Sequence, residues 1–265
     1  MSAVRTLLAL VIWLAFSLTF EFAPAAIAET LPSNNPAEIH WTYSLESGPD
    51  HWAELDDSFA TCANGKAQSP IDLTGAASAD LLNPEFHYTP APLNLLNNGH
   101  TVQVPYAPGS YLVLEGDRYD LLQFHFHSPS EHAINSQPQV AELHLVHQNE
   151  AGELAVVAVM IKADNTSKTT DYLSLSENLP DHAGDRVRTG KMINAQSLLP
   201  LQTTTYRYSG SLTTPPCTES VTWLVMSEPI SLTAKELSKY EQLLNHNNRP
   251  LQAVNSRALQ IDTTP

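Results

Sequence analysis

In LLQFHFHSPSEH (residues 121–132), two histidines stand two positions apart inside an apolar run, with Glu131 and His132 close behind. Alternate residues of a strand share a face. A strand here points Leu121, Gln123, His125 and His127 one way and Leu122, Phe124 and Phe126 the other. Two imidazoles on a buried face need partners, because an unpaired polar group away from water is costly. Alone, the pair reads equally well as hydrogen-bonded core histidines or as part of a metal site.

The stretch AELHLVHQ (141–148) supplies the rest. Alternation puts Glu142, His144 and Val146 on one face, and Leu143, Leu145 and His147 on the other. The intervening AINSQPQV (133–140) is turn-like, so the two strands can run antiparallel as neighbours. His125, His127 and His144 then converge. Three neutral imidazoles leave one tetrahedral position of a zinc ion open for water, as catalytic sites do and closed structural sites do not. Gln123 and Glu142 each precede a ligand by two residues on the ligand face, placed to accept the other ring N–H. His-x-His is a weak signal; three ligand-face histidines with both partners are a strong one.

The chain around this constellation has 265 residues, enough for one sizeable core. Its 19 prolines against 10 glycines favour loops and strand edges over long helices. Net charge is −15, from 13 Lys+Arg against 28 Asp+Glu, with no basic cluster. That balance argues against nucleic acid and anionic membrane surfaces as partners.

The N-terminus reads as an export signal over residues 1–28: Arg5, the apolar LLALVIWLAFSLTF (7–20), and AIA (26–28) before a cleavage point at Glu29. The apolar core is short for a permanent span. The mature protein, 29–265, is expected to be exported, periplasmic or secreted, with no membrane segment. In an oxidising compartment the only two cysteines, Cys62 and Cys217, favour one disulfide over two free thiols.

Along the chain, ETLPSNNPAEI (29–39) is a polar lead-in, and HWTYSLESGPDHW (40–52) is aromatic enough to pack on the body. Short alternating runs follow: TVQVPY (101–106), YLVLEGDRYDLLQFHFH (111–127), LAVVAVMIK (154–162), TTTYRYSGSL (203–212) and SVTWLVMSEPI (220–230). Turn residues punctuate them, as between strands. Helical spacing marks TAKELSKYEQLLNH (233–246), with Ser231 or Thr233 as cap, and DYLSLSENLP (171–180) is a shorter candidate. The expected class is a β-dominated α+β domain with a few peripheral helices.

Together QFHFHSPSEH, AELHLVH and GSLTTPPCTESVTW (210–223) resemble the α-class carbonic anhydrases, and QSPI (68–71), LNNGH (96–100) and NNRPLQ (247–252) extend the match in the family's order. The resemblance covers about residues 40–260 and points to the bacterial, exported branch. It implies one catalytic domain: a large, mainly antiparallel, twisted central sheet with zinc at the base of a conical cleft.

The resemblance also implies the chemistry, reversible hydration of carbon dioxide to bicarbonate and a proton. His125, His127 and His144 match the zinc ligands of a single ion per chain. Zinc lowers the pKa of its bound water to about 7, with carbonic anhydrase as the type example, and the resulting hydroxide attacks CO2. Thr213 matches the residue that accepts a hydrogen bond from that hydroxide and passes it to Glu131, and Thr214 a substrate-side position. Val146, Val156, Leu212, Val221 and Trp223 match the apolar wall; judged singly, each is ordinary core. His100 matches the proton shuttle, a task suited to imidazole. Tyr43, Asn98 and Gln103 match the water-filled path, Gln103 replacing the asparagine common there. Cys62 and Cys217 match the disulfide of exported members. Ser128 stands where many animal members carry tryptophan. His132 is expected to make a structural hydrogen bond rather than a metal contact.

Anion and sulfonamide-type inhibitors and a weak esterase side activity are expected from the family, and a homodimer stays open. The competing reading is a non-catalytic, carbonic-anhydrase-like zinc-binding or structural protein. Such relatives usually lack a ligand histidine, and none is missing here.

Overall fold

The computed structural model describes residues 39–165, 170–244 and 246–264; the expected export signal at 1–28, its expected cleavage point and the lead-in up to residue 38 lie outside them. The two ligand-bearing stretches form the strands Asp117–His127 and Ala141–Gln148, paired antiparallel with His125 opposite His144. The connection between them holds a small hairpin, Ala133–Ile134 with Gln137–Pro138.

These strands lie inside a 13-stranded sheet. On one side follow Leu154–Ala163, Glu219–Met226 and Thr205–Ser211; on the other, Val102–Pro105, Ala91–Asn97 and Arg186–Ile193. The pairing is mainly antiparallel, as expected, but the sheet is mixed. Leu154–Ala163 runs parallel to Glu219–Met226 and to Ile230–Leu232, and Ala77–Ala79 parallel to Gln260–Asp262. Leu154–Ala163 is apolar over most of its length because it is covered on both faces.

One expectation is corrected. The alternation holds from Gln123 to His127 but not before it, because the register shifts between Leu121 and Gln123. A bulge sets two residues opposite one and reverses the phase of what precedes it. Leu121 therefore joins the buried cluster of Phe124 and Phe126, and Leu122 is 43% exposed.

The two faces carry two cores. One holds Leu121, Phe124, Phe126, Leu143 and Leu145; the other holds Val156, Val221 and Trp223 beneath the ligand face. The helix Ala234–Leu244 packs Leu237, Tyr240 and Leu244 on the first. Its cap is Thr233: Glu236 Oε2 accepts from Thr233 N and Oγ1, and Glu236 N donates back to Thr233 Oγ1. The shorter helix runs Thr170–Ser176. Cys62 and Cys217 form a disulfide, buried with Trp52 and Phe59 and flanked by Trp41 and Tyr43, so the aromatic segment does pack on the body.

His147 points away from the ligand face and is fully buried. Its Nδ1–H donates to Ala155 O at 3.2 Å, and Nε2 accepts from the Tyr88 hydroxyl at 2.8 Å. Burial pulls its pKa down to about 4. The unfolded chain, with histidine near 6.5, takes up the proton first. This contribution is complete above pH 6.5 and declines as pH falls toward 4, by about 3 kcal/mol. Urea unfolding at pH 7 and 4.5 should show a smaller loss in His147→Gln than in the parent; equal losses would refute it.

Candidate metal centre and active site

The three ligand-face histidines have ring centroids 4.6–5.3 Å apart. Each uses one nitrogen outward. His125 Nδ1–H donates to Gln123 Oε1 at 2.9 Å, His127 Nδ1–H to Asn247 O at 2.6 Å, and His144 Nε2–H to Glu142 Oε1 at 2.8 Å. These bonds fix the tautomers, leaving lone pairs on His125 Nε2, His127 Nε2 and His144 Nδ1. The three residues offer ligand atoms within 4.8 Å of one another. His127 Nε2 is buried without a hydrogen-bond partner, an orphan that a metal ion would satisfy. Burial, reinforced by the neighbouring imidazoles, holds His125 well below the ordinary histidine range, and burial brings His127 down to about 4. Burial lowers His144 as well, against the pull of Glu142, so all three are neutral near pH 7, the state that binds metal.

Glu142 organises the floor. Its Oε2 accepts from Glu131 N at 2.9 Å and His132 N at 2.8 Å, and its Oε1 from His132 Nδ1 at 2.6 Å besides His144. Burial opposes its ionisation, but His132 and His144 outweigh burial and hold the carboxyl well below its usual range. His132 Nε2 accepts from the Tyr208 hydroxyl at 2.7 Å, so both its ring nitrogens are engaged in hydrogen bonds. The group His132, Glu142 and His144 is also close enough to hold a metal, but Glu142 Oε1 already receives both N–H groups.

Glu131 faces the ligands from the opposite side. Its Oε1 accepts from Arg249 N at 2.8 Å, and its Oε2, without a hydrogen bond, lies 3.6 Å from His127 Nε2 and 3.9 Å from His144 Nδ1. Burial pushes the carboxyl up to about 7, opposed by His144, the Arg249 N–H and Thr213. Thr213 is buried in a loop closed by Leu212 N to Thr218 O at 2.9 Å and Cys217 N to Thr214 O at 2.9 Å. The disulfide at Cys217 anchors that loop.

Five residues read as an apolar wall fall in one cluster: Val156, Val221 and Trp223 fully buried, Val146 and Leu212 partly so. Register explains it, since Val146 stands opposite Val156, and Val156 opposite Trp223. The Trp223 ring is 4.9 Å from that of His144, so the cluster abuts the ligands.

The four residues read as a proton path come from three separate parts of the chain. His100 is half-buried and stacks on Trp41, centroids 3.7 Å apart and planes 3° apart. Asn98 is exposed, its Oδ1 accepting from His100 N and Thr101 N, so its oxygen shapes the turn. Gln103 stands opposite His125 on the neighbouring strand. Tyr43 is kept protonated by burial and by Glu131.

A family model described as eukaryotic-type carbonic anhydrase matches residues 47–262, most of the chain. The chain belongs to the α-carbonic anhydrase family. A carbonic anhydrase of Nostoc sp. is 41% identical over 227 residues, covering 83% of this chain and 84% of that protein. Among solved structures, a hyperthermostable carbonic anhydrase from an active hydrothermal vent chimney superimposes with TM-score 0.80 at 42% identity, over 84% of this chain and 100% of that one. The α-carbonic anhydrase of Thermovibrio ammonificans, in complex with the inhibitor sulfanilamide, gives TM-score 0.81 at 36% identity, over 85% and 100%.

Two partners escaped the sequence reading. Asn247 orients His127 through a main-chain carbonyl, which carries no side-chain signature. Arg249 holds Glu131 through its main-chain N–H, while its buried guanidinium donates to Gln68 Oε1, Ser69 O and Cys62 O. Both lie in NNRPLQ, quoted for the resemblance without a role for either.

Proposed function

We propose that this chain hydrates carbon dioxide reversibly to bicarbonate and a proton, using one zinc ion held by His125, His127 and His144. The observation that carries the reading is the convergence of three neutral imidazole nitrogens, each set by an outward hydrogen bond, one of them an orphan. Three neutral nitrogen donors with an open fourth position suit catalytic zinc. When bound, the ion supplies a Lewis acid that brings the pKa of a water to about 7, carbonic anhydrase being the type example.

The chain's residues do the rest. Thr213, beside Glu131, directs its hydroxyl proton to that carboxylate and keeps a lone pair for a nucleophile that has a proton to give. Arg249 N holds Glu131 in place. A cation among the histidines favours the ionised Glu131, offsetting its burial. Val146, Val156, Leu212, Val221 and Trp223 offer apolar surface to CO2, which presents nothing to hydrogen-bond strongly. Thr214 lies on the substrate side, and His100 passes the product proton to buffer along the path flanked by Tyr43, Asn98 and Gln103. Sulfonamides and small anions should compete at the same metal.

The chain acts as one catalytic domain in an exported compartment. The N-terminal signal pattern and the disulfide support that location, and no helix of the described residues is long and apolar enough to cross a membrane.

Stopped-flow CO2 hydration on the purified mature protein, before and after zinc is stripped by a chelator and restored, tests the reading. Activity should vanish and return with zinc; stoichiometric zinc without hydration would refute the catalytic assignment. His100→Ala should slow turnover in weak buffer by about 100-fold, the lower end of what acid–base catalysis supplies, with partial rescue by added imidazole. Unchanged rate and buffer dependence would remove His100 from the shuttle role.

A further inference from the structure

One residue joins the metal ligands to the proton path. Asn247 is 2% exposed, and its main-chain carbonyl accepts the His127 Nδ1–H at 2.6 Å. Its carboxamide is engaged as well. Oδ1 accepts from Ser128 N at 2.9 Å, and Nδ2 donates to Phe126 O at 2.9 Å and to His100 O at 3.0 Å. The His100 backbone is therefore held at both ends by asparagine side chains: its N–H by Asn98, two residues away, and its carbonyl by Asn247, 147 residues away. The ring itself rests flat on Trp41.

From this arrangement we infer that the Asn247 carboxamide is a positioning residue for proton transfer, setting the place of His100 relative to the metal by tying its turn to the end of the strand that carries His127. The inference rests on the roles proposed above for His100 and His127. Proton transfer depends steeply on geometry, and a misplacement of about 1 Å can cost on the order of 10²-fold. The Thr101 hydroxyl also donates to Phe126 O, at 2.6 Å, so the turn has a second tie. Loss of the Asn247 amide thus shifts His100 without releasing the turn. It leaves the main-chain carbonyl that orients His127 untouched, so proton release suffers and attack on CO2 does not.

Asn247→Ser tests this. In weak buffer its kcat should fall about 10-fold, within the range that small misplacements cost. Its kcat/KM should stay within about twofold, because that ratio reports the steps before proton release. Zinc should remain at one per chain, and imidazole should restore kcat. In a His100→Ala background the same substitution should cost nothing further, since both act in one step. Parallel falls in kcat and kcat/KM without imidazole rescue, or additive losses in the double variant, overturn the inference. An unchanged kcat beside a slowed, rescuable His100→Ala overturns it while sparing the shuttle; a His100→Ala without defect overturns the shuttle reading itself. If Asn247→Ser fails to fold, Asn247→Asp keeps the volume and the Oδ1 acceptor but turns a carboxylate toward the Phe126 and His100 carbonyls, so in it kcat and its rescue by imidazole are read, and an unchanged kcat overturns the inference.

Discussion

His144→Ala is expected to lose zinc on gel filtration and nearly all CO2 hydration with it. Removing an outer partner of a metal ligand costs about 10–100-fold in metal affinity or activity, and losing one of three ligands must exceed that. His144 also gives one ring nitrogen to Glu142 while turning the other toward His125 and His127, and Trp223 packs 4.9 Å from its ring. The alanine variant therefore strands part of the network as well as opening the site. Glu142 nevertheless keeps His132 and the Glu131 and His132 amides, so the variant should still fold. Zinc content by mass spectrometry and hydration by stopped flow make the measurement. Glu142→Gln provides the graded comparison, with a deficit inside the 10–100-fold window. Full zinc occupancy in His144→Ala would break the ligand assignment, whatever the activity. Added zinc should raise the melting temperature of the parent but not of His144→Ala, because only a ligand bound by the native state stabilises it.

How much of this was legible in the sequence differs residue by residue, for physical reasons. From Gln123 to His127 the strand alternates without interruption, so the ligand face could be read directly. The bulge just before it could not. Leu121 and Leu122 are the same residue type, and either phase satisfies the pattern; only the partner strand decides which is buried. Glu142 stood out because a carboxylate in an apolar run needs a reason, and His132 with His144 is that reason. Asn247 gave no such sign, because a main-chain carbonyl 120 residues from His127 does the work. The run 154–162 could be read as a strand, but apolar side chains from Leu154 to Ile161 do not tell the direction of its neighbours, hence the unforeseen parallel pairs. Of the two helix caps considered, Thr233 prevails because Glu236 lies three residues on and returns its bond; Ser231 belongs to a strand. The roles of Thr213 and His100 came from the family resemblance: a threonine in a proline-rich turn and a histidine after glycine carry no chemistry of their own.

Replacing both cysteines, Cys62→Ala with Cys217→Ala, is expected to destabilise the fold by about 2–5 kcal/mol while leaving CO2 hydration at 25 °C near the parent's. The bridge joins residues 155 positions apart, so it confines most of the unfolded chain. Loop-closure entropy grows with length, which places this bridge toward the upper part of that range. The folded side changes little. Cys62 O still accepts from Arg249 Nη2 at 2.8 Å and Cys217 O from Gln68 Nε2 at 3.1 Å, both main-chain oxygens that survive substitution. Cys217 N still closes the loop onto Thr214 O, and Glu131 keeps Arg249 N. The melting temperature should fall on the order of 10 °C, given about 2–4 °C per kcal/mol for a domain of this size. Urea unfolding of the parent under oxidising and reducing conditions, beside the double variant, makes the comparison. Equal stability of parent and variant would show that the unfolded chain gains nothing from release. A loss of hydration with zinc still bound would point instead to a loop whose hold on Thr213 depends on the bridge, and would move the disulfide's contribution from the unfolded state to the active site.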